Sequence, residues 1–281
     1  MKVKISSDSV CDLSPELIAK YGLEILPLYV VKDGKDCRDG VDIVPEDIYN
    51  HVAAGGSLCS TAAVSVADYI EFFKKGLETN EGIVHFTISS SMSACYQNAC
   101  IAAAEFENVY PIDSENLSTG IGLQVLEAIE MAEKGASAAD IAEAVNARRG
   151  KVEASFVVDS ITYLHKGGRC SSVAALGANL LSLKPCIEVA NGAMGVAKKY
   201  RGKIDKCLLQ YVRDRLEGRE DIDWRRVFIT NSGGFTDEEL QAVEDEVKKY
   251  GHFEEILHTR AGCTISNHCG PKTLGILFFR K

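Results

Sequence analysis

The run GIVHFTISSSMSACYQNACIAAAEF, from Gly82 to Phe106, decides the fold class of this chain. Gly82–Ile88 is apolar and β-branched enough for a buried strand. A serine-rich turn follows. Met92, Tyr96, Ala99, Ala103 and Phe106 then recur at helical spacing, which puts them on one face. Strand, short polar turn and helix in direct succession form the repeating unit of an α/β protein.

The same unit recurs on both sides of this run. Lys2–Ser6 reads as a first strand, and Ser14 with Pro15 marks a helix start as N-cap and first helical residue. Leu23–Val31 reads as a second strand, Asp33-Gly34 as a turn, and Pro45-Glu46-Asp47 as the opening of another helix. Ser65–Lys75 carries a further helical pattern. Val109–Ile112 is a strand ended by Asp113-Ser114, and a helix runs through Ile121, Val125 and Ile129. These units predict one parallel sheet covered on both faces by helices.

Beyond Val152–Val158 the rhythm changes. Pro185–Val189 and Met194–Lys199 flank Asn191-Gly192, a strong hairpin signal. Val227–Thr230 follows as a strand, and then a helix from Asp237 with Leu240, Val243, Val247 and Tyr250 on one face. Phe253–Leu257 and Thr273–Phe279 complete the strands. The expected architecture is a parallel α/β domain over residues 1–155 and an α+β domain over 156–281. No low-complexity linker separates them, so they are expected to share an interface.

Composition agrees with this division. At about 150 residues per domain, 281 residues make two. Hydrophobic residues at 46% and charged residues at 25% are the mixture of a folded globular protein. Thirty-one basic and 40 acidic residues give a formal charge of −9, which disfavours nucleic acid as a partner. Aromatic residues are only 7%, so slender aliphatic groups must dominate packing. The start, MKVKISSDSV, lacks the apolar core of a secretory signal. The uncharged stretch between Glu81 and Glu105 is broken by polar residues, and Cys170–Leu183 is too short to cross a bilayer. Ten cysteines without C-x-x-C spacing read as reduced thiols, and a cytoplasmic protein with no stable membrane insertion is expected. The histidines show no metal-like spacing, so no metal or cofactor is expected.

The junction Ile88–Gln97 carries the clearest chemistry. A strand-to-helix turn points free backbone N–H groups outward, and the helix dipole adds positive character, which suits an anion. The same serines also serve as helix caps, and both roles stay open here. In the cluster Ser57, Ser60, Thr61 and Ser65, a lone threonine before small residues reads as a helix lead-in, with Ser65 as N-cap. Asp8, Ser9 and Asp12 follow the first strand, where sites form, but Asx-turn and capping chemistry explains them as well. His268 lies in Asn267–Lys272, read as a turn-rich loop, where it can hydrogen-bond an anion or act as acid or base. Lys166-Gly167-Gly168-Arg169 can hold phosphate or simply end a helix. Lys198, Lys199, Arg201 and Lys203 form a solvated face or a docking patch for an acidic partner. No phosphate loop, dinucleotide fingerprint or G-x-S-x-G elbow is present. A serine-dependent acyl or phosphoryl transferase using Ser93 and His268 would need the fold to bring them together, and a regulatory nucleotide-binding domain lacks its motifs.

Over essentially its whole length the chain resembles the DegV family of fatty-acid-binding proteins. The anchors are Asp8-Ser9 with Asp12-Leu13, Thr61 with Ser65, Ile88–Gln97, Asp113-Ser114, Lys166-Gly167-Gly168-Arg169, Lys184-Pro185 and His268 with Gly270-Pro271, all in family order. The resemblance implies a non-catalytic protein with a long-chain fatty acid, palmitate-like, in a tunnel between or within two domains. It implies that Thr61, Ser93, Ala94 and His268 hold the carboxylate, and that a separate fatty acid kinase is the partner. Ala62-Ala63-Val64, Ala94-Cys95 and Lys272 depart from the family pattern, which bears on head-group geometry and ligand selectivity. Lys272 is expected to add positive charge near the mouth.

Overall fold

The computed structural model describes residues 2–174 and 183–281. Most of the apolar stretch Cys170–Leu183 therefore lies outside the described residues. β1 (Val3–Asp8) leads through a 3₁₀ turn into α1 (Pro15–Tyr21), where Ser14 Oγ accepts the Leu17 N–H at 3.3 Å and Pro15 takes the first helical position. β2 (Glu24–Leu26) pairs with β1 in parallel.

The single strand expected over Leu23–Val31 is two strands. Pro27 has no N–H to give to a ladder, so β2 ends before it. β3 (Tyr29–Lys32) turns away and pairs antiparallel with β4 (Lys35–Arg38) across Asp33-Gly34. After α2 (Pro45–Ala53), β5 (Ser60–Ala62) pairs with the other edge of β3, Thr61 opposite Val30. Thr61 thus sits on a strand and not in a helix lead-in. Its ladder partner lies far up the chain, where local pattern carries no signal.

Ser65 caps α3 (Val66–Leu77) as expected, its Oγ accepting the Asp68 N–H at 3.1 Å. β6 (Gly82–Thr87), α4 (Cys95–Ala103), β7 (Val109–Asp113), α5 (Thr119–Glu133) and α6 (Ala138–Arg148) complete the first layer. Its sheet is parallel throughout, in the order β2-β1-β6-β7. Every residue of β6 is buried, so both faces of the sheet are covered. α4 begins at Cys95, later than the periodicity suggests, because the N–H groups of Met92 and Ser93 both bond to the Ser89 carbonyl in a tight turn.

The second part runs β8 (Val152–Val157), α7 (Thr162–Gly167), α8 (Ser171–Ala174), β9 (Leu183–Ala190), β10 (Ala193–Arg201), α9 (Ile204–Leu216), β11 (Ile222–Asn231), α10 (Asp237–Tyr250), β12 (Glu255–Arg260), α11 (Cys263–Cys269) and β13 (Leu274–Arg280). Its six-stranded sheet has the order β10-β9-β8-β13-β11-β12, with β11 and β12 parallel and the other pairs antiparallel. β8, which spans the boundary drawn at 155/156, is a member of this sheet. Asn191 and Gly192 both take positive φ and close the β9–β10 hairpin.

Side-chain alternation divides the six-stranded sheet between two cores. Val157, Val227, Ile276 and Phe278 pack with Leu208, Tyr211, Val243 and Val247 of α9 and α10. Phe156, Phe228 and Leu277 point the other way and join Leu117, Ile121 and Leu123 from the first part. The interface between the two parts is therefore continuous hydrophobic core. All ten cysteines are free thiols, and eight of them are buried. Among the described residues no helix is long and apolar enough to cross a membrane.

Candidate functional site

The four serines after β6 have different duties. Ser89 Oγ donates to the Gly192 carbonyl at 2.7 Å, latching the hairpin tip onto the turn. The Ser90 hydroxyl and N–H both bond to the Asp113 carboxylate. Ser91 is exposed. Ser93 is half-buried, and its Oγ accepts the Cys95 N–H at 3.3 Å and lies 3.2 Å from Cys95 Sγ, to which it donates. The Ala94 N–H has no partner among the described residues. Ser93 and Ala94 thus present one hydroxyl and one N–H at the start of α4, the arrangement that suits an anion.

Thr61 and His268 meet from opposite ends of the chain. Thr61 Oγ1 lies 2.9 Å from His268 Nε2. His268 sits on α11 and not in a loop, the helix ending at Gly270 with φ 75°. That helix is short, and its start is held by residues far away in sequence. Asp39 accepts the Cys263 and Thr264 N–H groups at 2.8 and 2.9 Å, and Asp12 accepts that of Gly262 at 2.8 Å. Two carboxylates of the first part therefore satisfy three of the free donors at this terminus.

Burial first, and the Arg169 cation second, hold the His268 imidazole at about 4, below its ordinary value of 6.5, so it is neutral at pH 7. Its Nδ1 has no hydrogen-bond partner among the described residues and lies against Gly167, where any Cβ would collide with it. With the proton on Nε2, His268 donates to Thr61 Oγ1 and leaves the threonine hydroxyl free to donate to a ligand. Gly167 ends α7 within Lys166-Gly167-Gly168-Arg169, and Gly168 closes the helix at φ 67°, the helix-ending reading of this motif, while Arg169 lines the same cavity as His268.

Thr61, Ser93, Ala94 and His268, the four residues singled out in the sequence, line one cavity of about 230 Å³ together with Arg169. Away from this polar end the wall is apolar, with Ile88, Met92, Leu117, Met194 and Ile265. A second space of about 30 Å³ shares Leu117, Ile265 and Cys269 with the first and continues to Phe156 and Leu277 in the interface core. The sequence reading missed Met194 and Thr264 as lining residues. Met194 is brought in by the hairpin latch, and Thr264 by the helix hidden behind loop-like composition.

The departures from the family pattern divide in the same way. Ala62, Ala63 and Ala94 line the cavity. Lys272 does not add charge at the mouth: its Nζ bonds Glu239 at 3.2 Å, and its backbone in the left-handed region pairs with Gly233. Lys198 of the basic run pairs with Asp214 at 2.6 Å. Asp8 caps the 3₁₀ turn through the Val10 N–H and also accepts the Ile88 N–H at 2.7 Å, and burial pushes its carboxyl up to about 7. Asp8 and Asp12 are thus structural acceptors. No group of His, Cys, Asp or Glu is arranged for a metal among the described residues. Nor does the fold form a Ser93–His268 dyad, since Ser93 bonds to Cys95 and His268 to Thr61.

With this geometry in hand, the relatives are informative. A fatty acid-binding protein of Thermotoga maritima is 32% identical over 285 residues, covering 98% of this chain and 96% of its own length. A fatty-acid-binding DegV family protein of Thermus thermophilus superposes with a TM-score of 0.89 at 30% identity over the whole of both chains. A stearic acid-binding protein of Eubacterium ventriosum gives a TM-score of 0.83 at 27% identity, covering 99% of this chain and 98% of that one. The family model described as "Uncharacterised protein, DegV family" matches residues 2–281, and the chain belongs to the DegV family.

Proposed function

We propose that this protein binds a long-chain fatty acid without transforming it. In this reading the carboxylate is held by Ser93, the Ala94 N–H and Thr61, whose hydroxyl His268 orients from behind, with Arg169 at the rim, and the acyl chain runs past Leu117 and Ile265 towards Phe156 and Leu277. One observation carries the reading: hydroxyls, a backbone N–H and a neutral imidazole from three distant segments converge in a cavity whose remaining wall is mostly apolar. Relatives at 27–32% identity described as binding fatty acids support it.

The energetics are favourable. At about 0.8 kcal/mol per methylene, some fifteen methylenes gain roughly 12 kcal/mol before ordering costs. A buried carboxylate is tolerated only when hydrogen-bonded, and the polar end has the donors for it. We further propose a cytoplasmic carrier that presents the carboxylate to a separate kinase, as the family resemblance implies.

The test is extraction of the purified protein with organic solvent, mass spectrometry of the extract, and palmitate binding by the delipidated protein. Stoichiometric fatty acid in the extract, or saturable palmitate binding, is the expected result. Failure of both overturns the reading.

A further inference from the structure

Thr264 and His268 stand four residues apart on α11 and so face the same side, about 6 Å apart along the helix axis. Both line the cavity. His268 has Thr61 as a partner, whereas Thr264 Oγ1 has none among the described residues although the residue is only 4% exposed. Of the apolar side chains that line the same cavity, Leu117 and Ile265 offer a hydroxyl neither donor nor acceptor, and Met92 only a weakly accepting thioether. The Asp39 carboxylate holds the Thr264 backbone N–H at 2.9 Å, which fixes the main chain at this position of the cavity wall. An apolar group of the same shape would close this wall at no desolvation cost, and a buried unpaired hydroxyl carries one.

We propose that Thr264 reads an oxygen substituent on the acyl chain a few carbons from the carboxylate, making hydroxy fatty acids oxygenated near the carboxyl end the favoured ligand class. The inference rests on the fatty-acid reading and refines its substrate. With the carboxylate at Thr61 and Ser93, beside His268, the group facing Thr264 lies about one helical turn from that position, within the first few carbons of the chain. A hydroxyl there both donates and accepts, and it matches a threonine hydroxyl in either direction.

Competition binding on the delipidated full chain tests this, with palmitate, 3-hydroxypalmitate, stearate and 12-hydroxystearate as ligands, in wild type, T264V and T264S. The expected result is at least tenfold tighter binding of 3-hydroxypalmitate than palmitate in wild type and T264S. T264V should reverse this preference, gaining palmitate affinity and losing that for 3-hydroxypalmitate. 12-Hydroxystearate, with its oxygen far from Thr264, should show no advantage over stearate. Equal ratios in wild type and T264V, as a water at Thr264 would give, overturn the proposal, and so does a wild-type preference for palmitate. Should T264V not fold, the wild-type and T264S ratios decide alone. Palmitate binding without a 3-hydroxy preference overturns this inference only, whereas no fatty acid binding at all overturns the fatty-acid reading and this one with it.

Discussion

Gly167 and His268 are packed so closely that the imidazole Nδ1 occupies the space a side chain at position 167 would need. The ring is thereby pressed between the end of α7 and Thr61, 2.9 Å from Nε2. G167A should push the ring off Thr61. Overpacking of this kind costs about 1–3 kcal/mol, part of it in stability and part in ligand affinity. Thermal unfolding and palmitate titration of the variant measure the two parts, and wild-type values in both would show that the contact is unimportant.

The His268 titration has a definite sign. Its folded value of about 4 lies below the unfolded 6.5, so the unfolded chain binds more protons between those limits. The associated stability is complete above about pH 6.5 and is lost as pH falls towards 4. Asp8 works in the opposite sense. Its folded value of about 7 means that the folded state keeps the proton, so its contribution is full below about pH 4 and is lost as pH rises through 7. NMR titration of the His268 ring should give a midpoint near 4, and H268Q should remove its share of the acid limb of the stability curve. A midpoint near 6.5 would refute the burial argument.

Asp39 is expected to control the site without touching the carboxylate position. It holds the Cys263 and Thr264 N–H groups, and removing it leaves two buried donors unpaired at the start of the helix that carries His268. D39A should cost roughly 1–3 kcal/mol of stability for each orphaned donor. D39N keeps one acceptor oxygen and should fall between D39A and wild type. Fatty acid affinity measured across the three proteins should follow the same order.

The same long-range caps explain what could and could not be read from the chain. Ser14, Ser65 and the Asn191-Gly192 turn are local signals, and each sits where its residue type predicts. The parallel units followed from periodicity because their strands are short apolar runs next to amphipathic helices, with β6 buried along its whole length. β5 and α11 were not legible, since Thr61 depends on β3 for its ladder and Cys263–Cys269 depends on Asp12 and Asp39 for its caps. Ser93 was visible because a strand-to-helix junction is local. Thr264 was not, because nothing in its neighbourhood marks a helix that faces a cavity.

Ser93 is the most direct probe of the anion position. S93A removes one hydrogen bond to a charged ligand, about 1.5–3 kcal/mol, which is roughly a ten- to 150-fold loss of affinity. The same hydroxyl accepts the Cys95 N–H, so a small loss of stability, on the order of 1 kcal/mol, accompanies it. Isothermal titration with palmitate separates the two effects. Equal affinity in mutant and wild type would remove Ser93 from the site.

Thr61 and His268 act as a pair if the imidazole orients the threonine hydroxyl. T61V removes the hydroxyl that meets the ligand, and H268L removes the group that fixes its direction. If the two worked independently, the double variant would lose the sum of the single losses. Through the 2.9 Å bond the second change has less left to remove, so the double loss should fall short of that sum by about 0.5–3 kcal/mol. A double-mutant cycle on fatty acid affinity measures the shortfall directly. Strict additivity would mean that His268 meets the carboxylate on its own and that Thr61 is a separate contact.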